Sequence, residues 1–399
     1  MNIGHDSKII TPKIGTQMEG YTPRFSEGIH DNLSESTMYI NNGYELIIIS
    51  IDIVAIPQYR ADRIKRRIFE QYHIPFNQII ISTIHTHSGP TVTDLLLDEP
   101  EIDESFWGQI TDKIVSSASY SINNTVNCSA TLDCHKVLPG AYKNRNGENL
   151  PYNDNIYELK FRHNNNLETS VILIATHPTI MNVNNKMISA DLIGQIRNNY
   201  QSDNGIYQMV LLSDCGDTST RYTRQESTFN EVSRIGNIVS DSLNTSIKKT
   251  DLDFSSMSVS EVLFKCDYDA VNNESSNSMW KKINDEYKKS HDDGINGLLN
   301  TYKHIRYYGH TKFTAKAIIL DFPNFRIVTY PGELVNTLGK RIRTMDEKPT
   351  LLITLANDYR GYSVDNKEFG RYFESYNSVF LKGMADEFVD RICKIGTKK

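Results

Sequence analysis

The sequence has few cysteines, and none lie in the close pairs that bind structural zinc or form redox motifs. The five cysteines are an odd number, and no two of them are separated by only two residues. This pattern argues against a disulfide framework and against a Cys₄ zinc knuckle. Free thiols, together with an N-terminal segment that lacks the long apolar core of a signal peptide, predict a cytoplasmic protein.

Long apolar runs and clusters of basic residues are also missing. No apolar run reaches the length of a membrane span, so no transmembrane segment is expected. The 399 residues carry a formal net charge of −6 and no Lys/Arg cluster, which excludes a nucleic-acid-binding class. Hydrophobic residues make up 39% and charged residues 23%, as in globular proteins. Because no low-complexity linker divides the chain, we expect one domain over residues 1–399.

What the sequence does contain is an apolar strand that ends in two histidines. The β-branched run at 79–84 predicts a buried strand, and Gly89-Pro90 then turns the chain. Residues two apart in an extended chain point to the same side, so His85 and His87 present both imidazoles at the strand end. Ligands of open α/β sheets bind at that edge, and neutral imidazole is a frequent zinc ligand. Two surface histidines in a loop are the alternative interpretation.

Three segments of the chain share one plan: a hairpin, a polar residue, a helix, a strand and a polar motif. The predicted helices lie at 60–72, 191–200 and 334–343, each between two predicted strands. Helices between strands indicate crossover connections and an α/β fold. We therefore predict a mixed sheet built from these hairpin-helix-strand units, with their polar ends on one edge. Flanking helices are predicted at 104–123, 273–308 and 374–395.

Six short motifs, in a fixed order, resemble the catalytic N-terminal domain of the neutral/alkaline (non-lysosomal) ceramidases. They are Gly28-Ile29-His30-Asp31, His85-Thr86-His87-Ser88-Gly89-Pro90, His177-Pro178-Thr179, Gly216-Asp217-Thr218-Ser219, Pro331-Gly332-Glu333 and Asn357-Asp358-Tyr359-Arg360-Gly361-Tyr362. One motif alone would be weak, whereas their order along nearly the whole chain is specific. The sequence departs from the family where Thr91 replaces a glycine and Thr220-Arg221 replaces Pro-Asn. The export signal and carboxy-terminal β-sandwich domain of the longer family members are not expected here.

The resemblance implies a catalytic zinc ion bound by two histidines, a glutamate and a tyrosine. Matched by motif, these ligands are His85, His177, Glu333 and Tyr362, with Tyr359 as an alternative to Tyr362. The resemblance also implies four residues that act on the substrate or beside the metal. They are His87, Ser219, Arg145 and Tyr372.

Each predicted ligand also has a structural interpretation. His177 could end a strand, Glu333 could favour the dipole of the following helix, and Tyr362 could be core packing. Three carboxylates near the motifs are predicted to be structural, or to orient the imidazoles by accepting their second ring N–H. They are Asp52, Asp191 and Asp217.

Zinc-bound water is the predicted nucleophile, because zinc lowers the pKa of water from ~15.7 towards ~7. The hydroxide would attack an amide carbonyl, and zinc, protonated His87 or Tyr372 would stabilise the negative charge on the carbonyl oxygen. His87 would then give a proton to the leaving amine. Ser219 is the alternative nucleophile, provided that a base lies within hydrogen-bond distance.

The sequence thus predicts a zinc-dependent hydrolase that cleaves the amide bond of an N-acylated lipid, small molecule or peptide. A cytoplasmic amidase, acyl-transfer enzyme or esterase with the same site is the nearest alternative. A non-catalytic zinc-containing binding protein is the alternative from another class. The set of His85, His87 and Ser219 favours an enzyme, because binding alone would not require it. The acyl chain, the amine and the oligomeric state stay open.

Overall fold

The computed structural model describes residues 1–94, 96, 100–269, 271–290, 295, 299 and 310–397. The strands are β1 (Asn2–Ile9), β2 (Gln17–Met18), β3 (Arg24–Phe25), β4 (Gly28–Ile29), β5 (Ser34–Asn41), β6 (Glu45–Ile51), β7 (Ile79–Thr83), β8 (Val126–Asn127), β9 (Ser129–Lys136), β10 (Lys143–Asn144), β11 (Asn155–His163), β12 (Asn166–Ile174), β13 (Met187–Ile188), β14 (Gln208–Leu212), β15 (Thr218–Ser219), β16 (Ser246–Asp251), β17 (Ser258–Asp269), β18 (His310–Asp321), β19 (Arg326–Thr329), β20 (Glu333–Leu334), β21 (Thr350–Ile353) and β22 (Tyr362–Ser363). The helices are α1 (Gln58–Tyr72), α2 (Glu104–Asn123), α3 (Asp191–Asn204), α4 (Phe229–Ser242), α5 (Glu274–Ser290), α6 (Asn336–Arg343), α7 (Phe373–Tyr376) and α8 (Met384–Gly396). The rest of the helical segment predicted at 273–308 lies outside the described residues, apart from positions 295 and 299.

Each of the three repeated units forms its own sheet. The strand orders are β7-β6-β5-β1-β8, β14-β12-β11-β9-β16 and β17-β18-β19-β21. In each sheet the hairpin strands pair antiparallel, and the strand after the helix joins in parallel. These parallel pairs are β6 with β7, β12 with β14, and β19 with β21. The predicted α/β class and hairpin-helix-strand plan are confirmed, and the units form three mixed sheets where one was expected.

The three sheets meet along the parallel strands β7, β14 and β21, whose residues are all buried. Polar atoms pair across the facing edges. Ser82 Oγ of β7 donates to the Thr354 carbonyl at 3.0 Å, and the Thr354 amide donates to the Leu212 carbonyl of β14 at 2.9 Å. A buried strand edge needs partners for its hydrogen-bonding groups. Packing three edges together supplies these partners and brings the carboxyl ends of the three strands close to one another.

Helices cover the outer faces of the sheets. In the described ranges, α2 contacts β1 and β5, α3 packs on α4 and β14, and α6 and α8 pack on each other and on the third sheet. The buried stripe of α1 includes Ile64 and Ile68, which join Ile49 and Ile81 of the first sheet in one apolar cluster. Residues four apart share one face of a helix, so this spacing turns α1 towards the sheet. Burial of such stripes fixes each helix beside the strands that it connects.

Three further features bear on the predictions from the sequence. All five cysteines are free thiols. Over the ranges described above, no helix is both long enough and apolar enough to cross a membrane. The packed sheets are compatible with one domain, and its extent over residues 1–399 stays a prediction.

Candidate metal centre

His85 and His177 are oriented by main-chain carbonyl groups. Nδ1 of His85 lies 2.7 Å from the Val54 carbonyl, and Nδ1 of His177 lies 3.0 Å from the Thr218 carbonyl. A carbonyl oxygen only accepts hydrogen bonds, so each Nδ1 donates its proton and each Nε2 keeps a free lone pair. His85 has a left-handed backbone (φ 60°), which turns it away from the line of strand β7. Both rings are buried, with their lone pairs directed into the protein.

Glu333 brings a carboxylate to the same point from the short strand β20, which follows β19 of the third sheet. Its amide donates to the Gly361 carbonyl at 2.9 Å, where strands β20 and β22 pair in parallel. Gly332 permits this approach, because a Cβ there would lie 2.5 Å from the Gly361 carbonyl oxygen. Oε2 of Glu333 lies 2.7 Å from His177 Nε2 and 3.4 Å from His85 Nε2. Three acceptor atoms therefore converge, each carried by a segment that follows a strand of a different sheet.

Two tyrosines contact this group at different atoms. The hydroxyl of Tyr362 lies 3.3 Å from His177 Nε2. The hydroxyl of Tyr359 donates to Glu333 Oε1 at 2.6 Å. Burial raises the pKa of both phenols well above the usual value. Tyr362 thus lies among the converging atoms, and Tyr359 holds the far oxygen of the carboxylate.

His87 lies beside the same group. Its Nε2 is 3.2 Å from His85 Nε2, and its ring meets the His177 ring at a centroid distance of 6.5 Å. Burial, and then the neighbouring imidazoles of His85 and His177, lower the pKa of His87 well below its usual value. Both imidazoles of the His85–Thr86–His87 stretch therefore reach one site.

The converging atoms suit a cation with tetrahedral nitrogen and oxygen ligands. The ligand atoms of His85, His177 and Glu333 all lie within 4.8 Å of one another, in buried side chains. Bonds of ~2.0 Å to a tetrahedral zinc ion separate its ligand atoms by ~3.3 Å. The spacings found here are 2.7, 3.3 and 3.4 Å. Two neutral imidazoles, a carboxylate and a phenol oxygen are ligands that zinc accepts, so the residues fit this ion.

The charges of these groups also suit a cation. Burial would raise the pKa of Glu333, but the imidazoles of His85 and His177 hold it well below its usual range. Burial, and then the positive charge of Arg145, lower the pKa of His177. At neutral pH the carboxylate is ionised and this imidazole is uncharged, and those are the forms that bind metal ions. A cation between the three acceptors would satisfy all of them.

Arg145 lies against the cluster. Its Nη1 is 3.5 Å from His177 Nε2, and its guanidinium carbon is 5.2 Å from the centre of the Tyr362 ring. Nε donates to Glu374 Oε1 at 2.7 Å, whereas the buried Nη2 has no hydrogen-bond partner among the described residues. Sequence reasoning missed Glu374, because an acidic residue in the first turn of a helix is common and gives no signal of its own.

Ser219 lies one residue from a group that orients a histidine. It follows Thr218, whose carbonyl accepts from both the amide and Nδ1 of His177 at 3.0 Å. The Ser219 hydroxyl is buried, and its Oγ accepts the Arg221 amide at 3.2 Å. Within the part of the chain that is described, no imidazole lies within hydrogen-bond distance of this oxygen.

Tyr372 is the chain neighbour of a residue that contacts the cluster. It precedes helix α7 and is half-buried, and its ring packs on the Arg371 guanidinium. The next residue, Phe373, meets the Tyr362 ring at a centroid distance of 5.9 Å and also packs on Arg145. The aromatic residue that touches the cluster is therefore one position beyond the predicted one.

The three carboxylates predicted to be structural, or to orient the imidazoles, bind other groups. Asp52 pairs with Arg197 through both oxygens, at 2.8 and 2.5 Å. Asp191 accepts two main-chain amides of the loop after His177, and Asp217 accepts the first amide of α6 at 2.8 Å. Burial raises the pKa of Asp191 and of Asp217 to about 7 each. These carboxylates hold the loops around the site, while carbonyl groups orient the imidazoles.

A second group of possible metal ligands lies in the second sheet. Asp133, His135 and Glu158 are buried and close together. Lys160 Nζ lies 3.0 Å from Asp133 Oδ2 and 2.8 Å from Glu158 Oε2, and Tyr200 donates to Glu158 Oε1 at 2.8 Å. The lysine already supplies a positive charge here. This group is therefore an ion-pair network, and the first group is the candidate metal centre.

Comparison with solved structures shows what the fold is similar to. The neutral ceramidase from Pseudomonas aeruginosa gives a TM-score of 0.74 at 14% identity, covering 99% of this chain and 74% of that one. A structure described as ceramidase complexed with C2 gives a TM-score of 0.76 at 15% identity, with the same coverage of both chains. No protein-family model matches the sequence, and no curated protein sequence matches it. The chain thus shares its fold with these ceramidase structures.

Proposed function

We propose that this protein is a zinc-dependent hydrolase that cleaves the amide C–N bond of an N-acyl substrate. The observation that carries the proposal is the buried convergence of His85 Nε2, His177 Nε2 and Glu333 Oε2. The shared fold with structures named as ceramidases supports an amide as the bond that is cleaved. Ceramide is an N-acylated amine, so the same chemistry extends to other N-acyl compounds.

The proposed zinc ligands are the four residues matched by motif. They are His85, His177, Glu333 and Tyr362. When bound, the ion would supply Lewis-acid polarisation of the amide carbonyl and of an attacking water. The carbonyls that hold both Nδ1 atoms keep the Nε2 lone pairs in place, and Tyr359 holds the other carboxylate oxygen. Such outer contacts fix the ligands before the metal arrives.

His87 is the residue that we assign to proton transfer. Its Nε2 lies 3.2 Å from His85 Nε2, at the centre where the reacting amide would lie. The uncharged ring takes a proton from the attacking water as the new C–O bond forms. It then gives this proton to the amide nitrogen as the C–N bond breaks. The products are a carboxylic acid and an amine, so atoms and charge balance.

Arg145 is assigned to the negative charge that develops on the carbonyl oxygen. Its guanidinium lies against His177 and Tyr362, and its buried Nη2 has no partner among the described residues. A preorganised donor at that position contributes ~10²–10³ in kcat. Tyr372, beside the Phe373 ring that packs on Arg145, stays a proposed second donor.

Ser219 is proposed to bind the substrate. A serine nucleophile needs a base within hydrogen-bond distance, and no imidazole of the described chain lies that close to its Oγ. Its hydroxyl is buried, and it follows Thr218, whose carbonyl holds His177; these two features support a contact with the amide. Acyl transfer through Ser219 is the alternative, and the two mechanisms differ in whether an acyl group accumulates on the protein.

An N-acylated lipid is the substrate class that the shared fold favours, and an N-acylated small molecule or peptide is the alternative. No nucleic-acid partner is proposed. Five free thiols suit a reducing compartment, so we propose that the enzyme acts in the cytoplasm.

Zinc content and amide hydrolysis, measured on one preparation, test the proposal. Purified protein is expected to hold about one zinc ion per chain and to release sphingosine from a short-chain N-acyl sphingosine in detergent micelles. A panel of N-acyl amino acids and of matching esters distinguishes a lipid amidase, a small-molecule amidase and an esterase. Zinc-loaded protein that cleaves none of these compounds would refute the hydrolase and leave a binding protein.

A further inference from the structure

The His87 imidazole is held differently from the two rings beside it. His85 and His177 each donate Nδ1 to a carbonyl, whereas the buried Nδ1 of His87 has no hydrogen-bond partner among the described residues. An imidazole without a hydrogen bond at Nδ1 can rotate about χ2, whose distribution for histidine is broad, unless packing prevents the rotation. The other ring nitrogen, Nε2, contacts His85 Nε2 at 3.2 Å, and a metal ion bound to His85 would take that lone pair. Packing must then fix the orientation of the His87 ring.

The turn between β2 and β3, residues 19–23, packs on this ring. Tyr21 meets it edge-on, with ring centroids 4.7 Å apart and an angle of 66° between the planes. Gly20 also lies against it, because a Cβ at that position would be 2.5 Å from His87 Cγ. The backbone of Gly20 has φ 100°, which favours glycine independently of the space. Both features let the turn approach the imidazole closely.

The turn, and Arg24 of β3 directly after it, are anchored to neighbouring loops. The Tyr21 hydroxyl donates to the Met181 carbonyl at 3.0 Å. Arg24 donates Nε to the Asn185 carbonyl at 2.9 Å and Nη2 to the His87 carbonyl. The turn therefore joins the main chain of His87 to the loop that follows strand β12. These bonds hold the Tyr21 ring at a fixed place relative to the imidazole.

We propose that Tyr21 is a positioning residue: its ring, with the space at Gly20, holds the His87 imidazole so that Nε2 points into the candidate metal centre. The expected effect on rate rests on the proposed function, in which His87 transfers the proton. The expected effect on the orientation of the His87 ring does not depend on it. A catalytic group misplaced by ~1 Å costs ~10²-fold in rate. Loss of the Tyr21 ring is expected to have an effect of that size.

Kinetics of three variants test whether Tyr21 acts through His87. With a short-chain N-acyl sphingosine, Tyr21→Ala is expected to lower kcat by about 10²-fold and to change KM by less than about threefold. Tyr21→Phe keeps the ring and loses only the bond to the Met181 carbonyl, while the Arg24 bonds still anchor the turn, so it is expected to stay within about threefold of the wild type. In a His87→Gln background, Tyr21→Ala should add less than about twofold, because the residue through which it acts is gone. If Tyr21→Ala lowers kcat by about 10²-fold both in the wild type and in the His87→Gln background, the proposal is overturned.

The matched control is Tyr120→Ala, which removes an exposed tyrosine of α2 and is expected to leave kcat unchanged. A fall in kcat equal to that of Tyr21→Ala would mean that the loss is not specific to the turn, and would also overturn the proposal.

A crystal structure of zinc-loaded Tyr21→Ala gives a readout that does not depend on activity. We expect the His87 ring to be rotated or disordered, while His85 and His177 keep their positions. A His87 ring placed as in the wild type would contradict the positioning role. Gly20→Ala is the second variant, in case Tyr21→Ala does not fold, because its methyl group should displace the same ring by crowding. If the wild type cleaves no amide, the proposed function fails. A displaced His87 ring in the Tyr21→Ala structure would still support the positioning role of Tyr21.

Discussion

The orientation of His85 and His177 depends on the main chain. The carbonyls of Val54 and Thr218 hold both Nδ1 atoms, and no side-chain substitution at those two positions removes them. Carboxylates in this role could be lost through a single mutation, whereas carbonyls are lost only if the backbone moves. The rings themselves are therefore the points at which the centre is sensitive to substitution.

Replacing either ring is expected to remove most of the bound zinc. His85→Ala and His177→Ala each delete one nitrogen ligand, and a loss of affinity of at least about 10²-fold should follow. Elemental analysis after dialysis measures the zinc content per chain. The control is His163→Ala, in the β11–β12 hairpin, which should keep the wild-type content. Full zinc in both ligand variants would show that the ligand assignment is wrong.

Ser219→Ala separates the two possible nucleophiles. If water is the nucleophile, this variant keeps its zinc and loses roughly 10²–10³ in kcat, as for one lost donor to the reacting group. Intact-protein mass spectrometry after a rapid quench should then find no acyl group on the wild type. An acyl adduct that maps to Ser219 and forms as fast as turnover would instead establish acyl transfer through the serine.

At the scale of single elements, helix α1 buries a lysine. Lys65 is almost completely buried, and its Nζ donates to the Phe76 carbonyl at 3.3 Å. Burial, followed by the charge of Lys316, lowers the pKa of Lys65 to about 7. The folded state therefore binds this proton less tightly than the unfolded chain does. Stability from this group is lost as the pH falls from about 10 through 7.

Lys65→Met is expected to raise the free energy of unfolding, because methionine fills the same space without a charge. The gain should be on the order of 2 kcal/mol larger at pH 6 than at pH 9, because most of the loss between the two pKa values of Lys65 lies below pH 9. Urea denaturation at both values measures it. Lys394→Met, at an exposed position of α8, is the control and should change neither value. Equal gains at pH 6 and pH 9 would rule out the buried charge as the cause.

The helices and strands were largely predictable, because their signals are local. The helices predicted at 60–72, 191–200 and 334–343 correspond to α1, α3 and α6 within a few residues. The division into three sheets was not predictable. It depends on which strand edges meet, and contacts such as Ser50 with Val210 join residues far apart in the sequence. Periodicity within a segment carries no information about such pairs.

The candidate site shows the same limit. His85, His177 and Glu333 stand in motifs with a recognisable order, and the structure brings them together. Glu374 and Tyr21 stand in no such pattern, although each contacts a side chain of the site. Their contacts arise only when distant segments pack, so one sequence without tertiary information does not reveal them.

At the scale of the whole molecule, the pH dependence of the free energy of unfolding depends on one buried proton near Glu35. Ser117 Oγ contacts Asp6 Oδ2 at 3.0 Å and also contacts Glu35 Oε1. A hydroxyl has one hydrogen, so one of the two carboxyl groups must supply another. Burial raises the pKa of Glu35 from 4.5 to about 8. The folded state therefore holds a proton at neutral pH that the unfolded chain releases.

Glu35→Gln is expected to reduce the pH dependence of stability. A raised folded-state pKa means that stability is complete below about pH 4.5 and falls as the pH rises towards 8. The variant should therefore gain on the order of 3 kcal/mol relative to the wild type between pH 5 and pH 8. Urea denaturation at the two pH values measures this difference, with the exposed Glu70→Gln of α1 as control. An unchanged pH dependence would contradict a proton held at Glu35.

Each sheet is followed by one acceptor atom of the candidate metal centre, since His85 follows β7, His177 follows β12 and Glu333 follows β19. These residues are spread over more than half of the chain, so the contacts among them join segments that are far apart in the sequence. Closing such long loops costs entropy before the contacts form, which makes these contacts late events in folding. A chain with only two sheets docked has at most two of the three acceptors in place. If zinc is the ion, as proposed, its capture would be limited by the docking of the last sheet rather than by diffusion of the ion.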